Sequence, residues 1–248
     1  MSKAIILVAV RLKSSRLPMK ALADLSGKPL IVRVTERLQK ARIPENIIWC
    51  TSINKQDDPL EKIAKENNIK IFRGSELDVM SRFLEVARVE SADTIVRVTG
   101  DNPLTDHLMI DFMLRKHLSE RAEYTYTEEL PIGTRPEIID FDMLNNLHSQ
   151  LQDPNSSEYM TLMLNRPDKF NILKLGSYDS KLNRPELRLT VDTRDDLQLF
   201  EELYNNLGED FLLKDVISWL DNNPKKILLV SDIFTTIPAS VNVKLIDD

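Results

Sequence analysis

The sequence predicts an α/β fold, a mostly parallel mixed sheet with helices on both faces. Three observations lead there. Short apolar runs rich in Ile and Val alternate with amphipathic segments in units of roughly 25–45 residues, the spacing of strand–helix–strand crossovers. The first run, Ala4 to Val10, is apolar throughout, as suits a strand covered on both faces. The 248 residues are 42% hydrophobic and 29% charged, an ordinary globular balance in a chain long enough to bury a core without disulfides.

The elements run in order along the chain. Ala4 to Val10 is the first strand and Arg11 to Lys20 a polar loop. Ser26-Gly27-Lys28-Pro29 is a turn, and Pro29 suits the first position of a helix running to about Lys40. Ile47 to Cys50 is the second strand. Asp58 to Asn67 is a helix with Leu60, Ile63 and Ala64 on one face. Lys70 to Phe72 is a short third strand. Val79 to Glu90 is a helix with Val79, Phe83, Val86 and Ala87 on one face. Thr94 to Val98 is the fourth strand, and Leu108 to Leu118 the next helix. The second half is less regular. Tyr124 to Thr127 and Glu137 to Ile139 read as strands around a turn at Gly133. Met143 to Leu151 and Glu158 to Leu164 read as helices. Ile172 to Leu175 and Leu187 to Val191 read as strands, Leu197 to Asn206 and Val216 to Asp221 as helices. The tail from Ser231 carries few helix signals. No repeat or low-complexity linker divides the chain, so residues 1–248 read as one domain whose second half, about 124–186, forms a small lobe.

Composition excludes several classes. A single cysteine, Cys50, leaves no disulfide framework and no multi-cysteine metal site. His107, His117 and His148 share no metal-ligand spacing. A net charge of −6 argues against nucleic acid as a general partner, while one local basic patch can still hold an anion. No apolar run approaches the ~18 residues of a membrane span. The expectation is a cytoplasmic protein with neither membrane nor nucleic acid among its partners.

The chemistry is expected where strands end. With 6 glycines in the whole chain, neither a G-x-G-x-x-G nor a G-x-x-x-x-G-K-[ST] follows the first strand, which disfavours a dinucleotide fold and a P-loop ATPase. In their place stands Arg11-Leu12-Lys13-Ser14-Ser15-Arg16-Leu17-Pro18-Met19-Lys20, with four cations, two hydroxyls and no acid. Ligands of open α/β sheets sit beyond the carboxyl ends of the strands. A basic, hydroxyl-rich loop there suits a triphosphate, with Arg forking onto phosphate oxygens and Lys acting as a point charge. Asp101, in Thr99-Gly100-Asp101-Asn102-Pro103, and Asp192, after Leu187 to Val191, each follow a strand and are the candidates for Mg²⁺. Each also has a plain reading, as a turn residue or a helix cap. Asp195 and Asp196 read as first-turn helix charges. Thr51, Ser52 and Asn54 follow the second strand and could read a base by hydrogen bonds or simply form a turn.

Taken together, these segments resemble the cytidylyltransferases that make CMP-activated sugars, the acylneuraminate and Kdo enzymes and, most closely, the spore-coat polysaccharide SpsF-like branch. The likeness rests on Arg11-x-x-x-Ser15-Arg16-Leu17-Pro18-x-Lys20, Gly27-Lys28-Pro29-Leu30, Phe72-Arg73-Gly74-Ser75 with Asp78-Val79-x-x-Arg82, Arg97-Val98-Thr99-Gly100-Asp101-x-Pro103-Leu104, and Leu189-Thr190-Val191-Asp192-Thr193. The order runs from residue 4 to about 205.

The resemblance implies a Rossmann-like nucleotidyltransferase fold and an enzyme that transfers CMP from CTP to a sugar acid of nonulosonate or Kdo type, releasing pyrophosphate, for surface polysaccharide biosynthesis. It implies Mg²⁺ and a homodimer built partly by the second-half lobe. By carry-over, Arg11, Arg16 and Lys20 contact the triphosphate and, with Asp101, carry catalysis. Asp101 and Asp192 hold the metal. Ala9, Lys13, Ser14, Ser15, Thr51, Ser52, Arg73, Thr99 and Gly100 complete the nucleotide site. Arg82, Glu137, Glu158 and Tyr159 line the acceptor side. Some positions depart from the pattern. Lys13 and Met19 stand where the branch commonly has glycine, Asn102 where cysteine is frequent, and Tyr159 where histidine is common. The Ser-Gly-Thr-Asp-Arg segment of Kdo enzymes is missing. The rival readings are a nucleotidyltransferase with a phosphate- or phosphonate-bearing acceptor, a glycosyltransferase, and a catalytically silent nucleotide-binding relative.

Overall fold

Ile and Val concentrated in the first strand place it in the interior of the sheet, between two parallel neighbours. In the computed structural model, which describes residues 2–227 and 244–246, β1 (Ala4–Ala9) is followed by a two-residue hairpin, β2 (Asp24–Leu25) and β3 (Lys28–Pro29), and by α1 (Leu30–Leu38). The hairpin turns through Ser26 and Gly27, both at positive φ, the geometry that suits the twist of a tight hairpin. Next come β4 (Ile47–Ser52), α2 (Asp58–Glu66), β5 (Lys70–Gly74), α3 (Val79–Glu90), β6 (Thr94–Thr99) and α4 (His107–Glu120). The second half supplies β7 (Tyr124–Tyr126), β8 (Glu137–Asp140), α5 (Phe141–Ser149), α6 (Met160–Leu164), β9 (Ile172–Lys174), α7 (Arg194–Leu207) and α8 (Leu213–Asn222). Asp78, Asp106, Asp140 and Thr193 cap α3, α4, α5 and α7 through side-chain bonds to backbone N–H groups.

Seven strands form one sheet in the order β5-β4-β1-β6-β8-β7-β9. All its pairings are parallel except those of β8, which runs against β6 and β7. The expected mixed, mostly parallel sheet is therefore present. The segment read as a lobe adds β7, β8 and β9 to this same sheet. Period-2 alternation divides the core between the two faces. Ile6, Val8, Val96 and Val98 pack against α1, α2, α4, α7 and α8, and Ile5, Leu7 and Ile95 pack against α3, α5 and α6.

Two expected elements differ. Leu187 to Val191 is buried but is no strand; it runs extended beside loops, with one isolated bridge from Arg188 to Ile132. Its neighbours are a turn and the Asp101 backbone, which offer no strand to extend a ladder. The helix expected from Glu158 begins at Met160, after a 3-10 turn over Pro154–Tyr159. The tail from Ser231 lies outside the described residues apart from 244–246, where Leu245 bridges Leu151.

His117 is buried on α4 and shares a 2.9 Å hydrogen bond with Thr125 of β7. Burial lowers its pKa to about 4. A histidine depressed in the native state contributes stability that is complete above its unfolded value and is lost as pH falls toward the folded value. Stability should therefore fall by about 2 kcal/mol between pH 8 and pH 5 on account of His117 alone. Urea melts of His117→Asn and the parent at the two pH values check this, and an equal pH dependence in both would contradict it.

Candidate active site

The loop after β1 is pinned at both ends. Leu12 is fully buried, and its backbone N–H donates to Asp57 Oδ1 at 2.7 Å. Met19 N–H donates to the Leu12 carbonyl at 3.1 Å and closes the loop. Met19 sits at φ 57°, in the left-handed region, which glycine adopts without strain. That conformation explains why the resembled branch commonly has glycine at this position.

The second acid is brought to the first by backbone bonds. Gly100 fits under β1, where a Cβ would lie 2.9 Å from Val10. The Asp101 carbonyl then accepts Val191 N–H at 2.9 Å. Gly133, at φ +90°, lets the same extended segment pass so close that a Cβ there would lie 2.2 Å from the Leu189 carbonyl oxygen. Asp196 fixes the turn into α7. Its Oδ2 accepts the backbone N–H groups of Asp192 and Thr193, both at 2.8 Å, while Arg188 forks onto both of its oxygens. Asp196 is the first-turn charge its position implies, within a capping box, but it is also fully buried and orients Asp192. Breaking a buried ion pair by removing one partner costs about 3–5 kcal/mol. Asp196→Ala should lose stability on that scale, which chemical denaturation measures, whereas Asp195→Ala on the open side of the helix should change it by less than about 0.5 kcal/mol.

The two acids meet on one cation. Lys20 Nζ lies 2.6 Å from Asp101 Oδ2 and 2.8 Å from Asp192 Oδ1, across 81 and 172 positions of sequence. Burial works against the Lys20 ammonium, but the Asp101 and Asp192 charges outweigh it and hold its pKa above the usual lysine value. Burial likewise opposes the Asp101 carboxylate, and the Lys20 charge with bonds from Lys20 and Thr99 holds its pKa below the usual range. Arg16 adds a 2.9 Å contact to Asp192. The other loop cations are also paired, Arg11 with Glu158 at 2.6 Å and Lys13 with Glu76 at 3.1 Å.

These groups line a cleft of about 700 Å³ beyond the carboxyl ends of β1 and β6. Of the sequence-derived site residues, Ala9, Arg11, Lys13, Ser14, Ser15, Arg16, Lys20, Arg82, Thr99, Gly100, Asp101, Glu158, Tyr159 and Asp192 line it. Four do not. Thr51 is fully buried in β4. Ser52 donates to Asp57, the residue that pins Leu12, so it reaches the loop only at second hand. Arg73 bonds the carbonyls of Ser52 and Asn54 and pairs with Asp58 and Glu61, which staples the turn after β4. Glu137 is turned to Arg97, Tyr124 and Thr161. Sequence reasoning gives no site role to Arg97, which lines the cleft. Its signal is a charge inside an apolar strand, two positions before Thr99 and hence on the same face.

Among the described residues no group of three or more His, Cys, Asp and Glu gathers as a metal cage. Two converging carboxylates still suit Mg²⁺, which is commonly held by one or two carboxylates with substrate phosphates and water completing its shell. Among the described residues no helix is long and apolar enough to cross a membrane.

An open α/β sheet with cations and carboxylates gathered at the strand ends suits the transfer of a phosphorylated group, the chemistry of a nucleotidyltransferase. Residues 5–218 match the cytidylyltransferase family, and the chain belongs to that family. It is similar to the spore coat polysaccharide biosynthesis protein SpsF of Bacillus subtilis, with 31% identity over 90% of this chain and 96% of that protein. It is similar to the 3-deoxy-manno-octulosonate cytidylyltransferase of Pelodictyon phaeoclathratiforme, with 33% identity over 62% of this chain and 57% of that protein. The structure superposes on a cytidylyltransferase from Leptospira borgpetersenii with a TM-score of 0.83 and 30% identity, over 92% of this chain and 97% of that one. The protein is thus a CTP-dependent nucleotidyltransferase, and its likeness to the SpsF and Kdo branches holds.

Proposed function

We propose that this protein transfers CMP from CTP to a hydroxyl of a sugar acid, of nonulosonate or Kdo type, and releases pyrophosphate, in a cytoplasmic route to surface polysaccharide. The convergence of Arg16 and Lys20 with Asp101 and Asp192 in one cleft carries this reading. Similarity to SpsF and to a 3-deoxy-manno-octulosonate cytidylyltransferase supports the acceptor class.

In the transfer the acceptor oxygen forms a bond to the α-phosphorus, and the bond from that phosphorus to the β-phosphate bridging oxygen breaks. Negative charge builds on the departing pyrophosphate, so cations near it stabilise the transition state more than the ground state. Arg11, Arg16 and Lys20 supply those cations. Each is paired with an acid in the cleft, so a triphosphate that binds there competes with carboxylates. Asp101 and Asp192 would hold a divalent cation, expected to be Mg²⁺, which when bound polarises the phosphoryl oxygens and eases loss of the acceptor proton. No histidine lines the cleft among the described residues.

Pyrophosphate release from each of the four nucleoside triphosphates, against 2-keto sugar acids and phosphorylated acceptors, tests the reading. CTP with a sugar acid should give the signal. Release only with a phosphorylated acceptor would overturn it, and so would transfer from a nucleotide sugar without pyrophosphate.

A further inference from the structure

Arg97 interrupts an otherwise apolar stretch of β6. Directly opposite it in the antiparallel register stands Glu137 of β8. Glu137 is 8% exposed, does not line the cleft, and has both oxygens engaged. Arg97 Nη1 donates to Oε2, while the Tyr124 hydroxyl and Thr161 Oγ1, the latter at 2.9 Å, donate to Oε1. Burial, reinforced by the Glu137 charge, drives the Tyr124 pKa up, so Tyr124 remains a phenol and a donor. Three strands and α6 thus hold one guanidinium in place, and that guanidinium faces the cleft.

Its donor capacity is not used up. Among the described residues Nη1 makes its hydrogen bonds, to Glu137 and Thr161, and Nη2 makes none. Under-satisfied donors in a native structure ask for an explanation. Position supplies one. Arg11, Arg16 and Lys20 follow β1, whereas Arg97 lines the cleft from β6, backed by Glu137 of β8 and 3.2 Å from Thr161 in α6, the helix that follows Glu158 and Tyr159. A guanidinium fixed from behind by a carboxylate through Nη1 still has Nη2 to offer a second anion, a second nitrogen that Lys lacks. We propose that Arg97 holds the carboxylate of the acceptor, with Glu137, Tyr124 and Thr161 as its positioning residues. This rests on the sugar-acid reading above and assigns the acid-recognising role to Arg97.

The test compares Kdo and N-acetylneuraminate with their methyl esters as acceptors, measured by pyrophosphate release from CTP. The parent protein should favour the free acid. Arg97→Met leaves Glu137 buried without its cation, so the charge-matched double variant Arg97→Met/Glu137→Gln carries the main comparison. It should raise the acceptor KM for the acid by about 30-fold or more. It should leave the KM for CTP within about twofold and bring the acid-to-ester ratio of kcat/KM close to one. Arg97→Lys keeps the ion pair but not the second nitrogen, and should lower that ratio severalfold while retaining a preference for the acid. A ratio equal to the parent's in either variant overturns the role of Arg97 and leaves the sugar-acid reading standing. A parent protein that turns over phosphorylated acceptors and neither acid overturns both.

Discussion

Replacing Asp192 with alanine should lower kcat by at least ~100-fold, the scale on which losing a metal ligand acts, while the protein stays folded. The fold should survive because the loop carrying Asp192 is held by its backbone. Its N–H is bound by Asp196, and the preceding Val191 by the Asp101 carbonyl. Lys20 keeps Asp101 as a partner when Asp192 is gone. Asp101→Ala should cost as much activity. In both variants the divalent-cation concentration for half-maximal rate should rise, and removal of the cation from the parent with EDTA should abolish pyrophosphate release. A fully active Asp192→Ala protein would show that the two aspartates do not share a metal.

Lys20→Met should lower kcat/KM by about 10²–10³-fold, as loss of one preorganised charge at a developing anion does. The polarity of its loop alone predicts a stability change under about 1 kcal/mol. The structure changes that expectation, because without Lys20 the Asp101 and Asp192 carboxylates lose the cation they share, and Asp192 keeps its contact with Arg16. The pH dependence should change with it. In the parent, Asp101 has a lowered pKa, so its contribution is present above about pH 3.9 and is lost as pH falls through the folded value. Lys20 has a raised pKa, so its contribution is present below about pH 10.4 and is lost as pH rises through the folded value. The pair therefore stays ionised and stabilising between those limits. In Lys20→Met, burial pushes the Asp101 pKa up without the opposing cation, so the variant's deficit in melting temperature relative to the parent should shrink as pH falls from 8 toward 5. Added Mg²⁺ at pH 8 should restore the same stability. A Lys20→Met protein with parental melting at every pH and no response to Mg²⁺ would separate the lysine from the two acids.

Much of the fold is local and could be read without coordinates. The apolar run of β1, the helix of Val79–Glu90 and the caps after loops each arise from periodicity and from backbone groups satisfied within a few residues. Continuity of chain also carries the loop to the carboxyl end of β1 and Asp101 to that of β6, so half of the candidate site is written in strand-to-loop order. Leu187 to Val191 shows where this fails. A buried extended segment and a central strand have the same apolar pattern, and only the presence of a neighbouring ladder separates them.

The residues themselves determined a mixed, mostly parallel α/β sheet, a cationic loop at its centre and acids at two turns, because those depend on side-chain period and on chain connectivity. Tertiary structure alone decided how these parts combine. Composition left the loop's four cations seeking an anion; in the fold each has a carboxylate from a distant segment, so charge counting along the chain could not say whether they were satisfied. Thr51, Ser52 and Arg73 lie at the same edge of the sheet as the loop after β1, yet Thr51 is buried in β4, Ser52 is bound to Asp57 and Arg73 staples the turn after β4. Glu137 was an acid for the acceptor until β8 met β6 in antiparallel register, which hid the carboxylate and set Arg97 against the cleft. Asp101 and Asp192 meet on Lys20 through contacts spanning 81 and 172 positions. Such pairings are set by strand order, register and the close passage of Gly133 beside Leu189, and no local pattern encodes them.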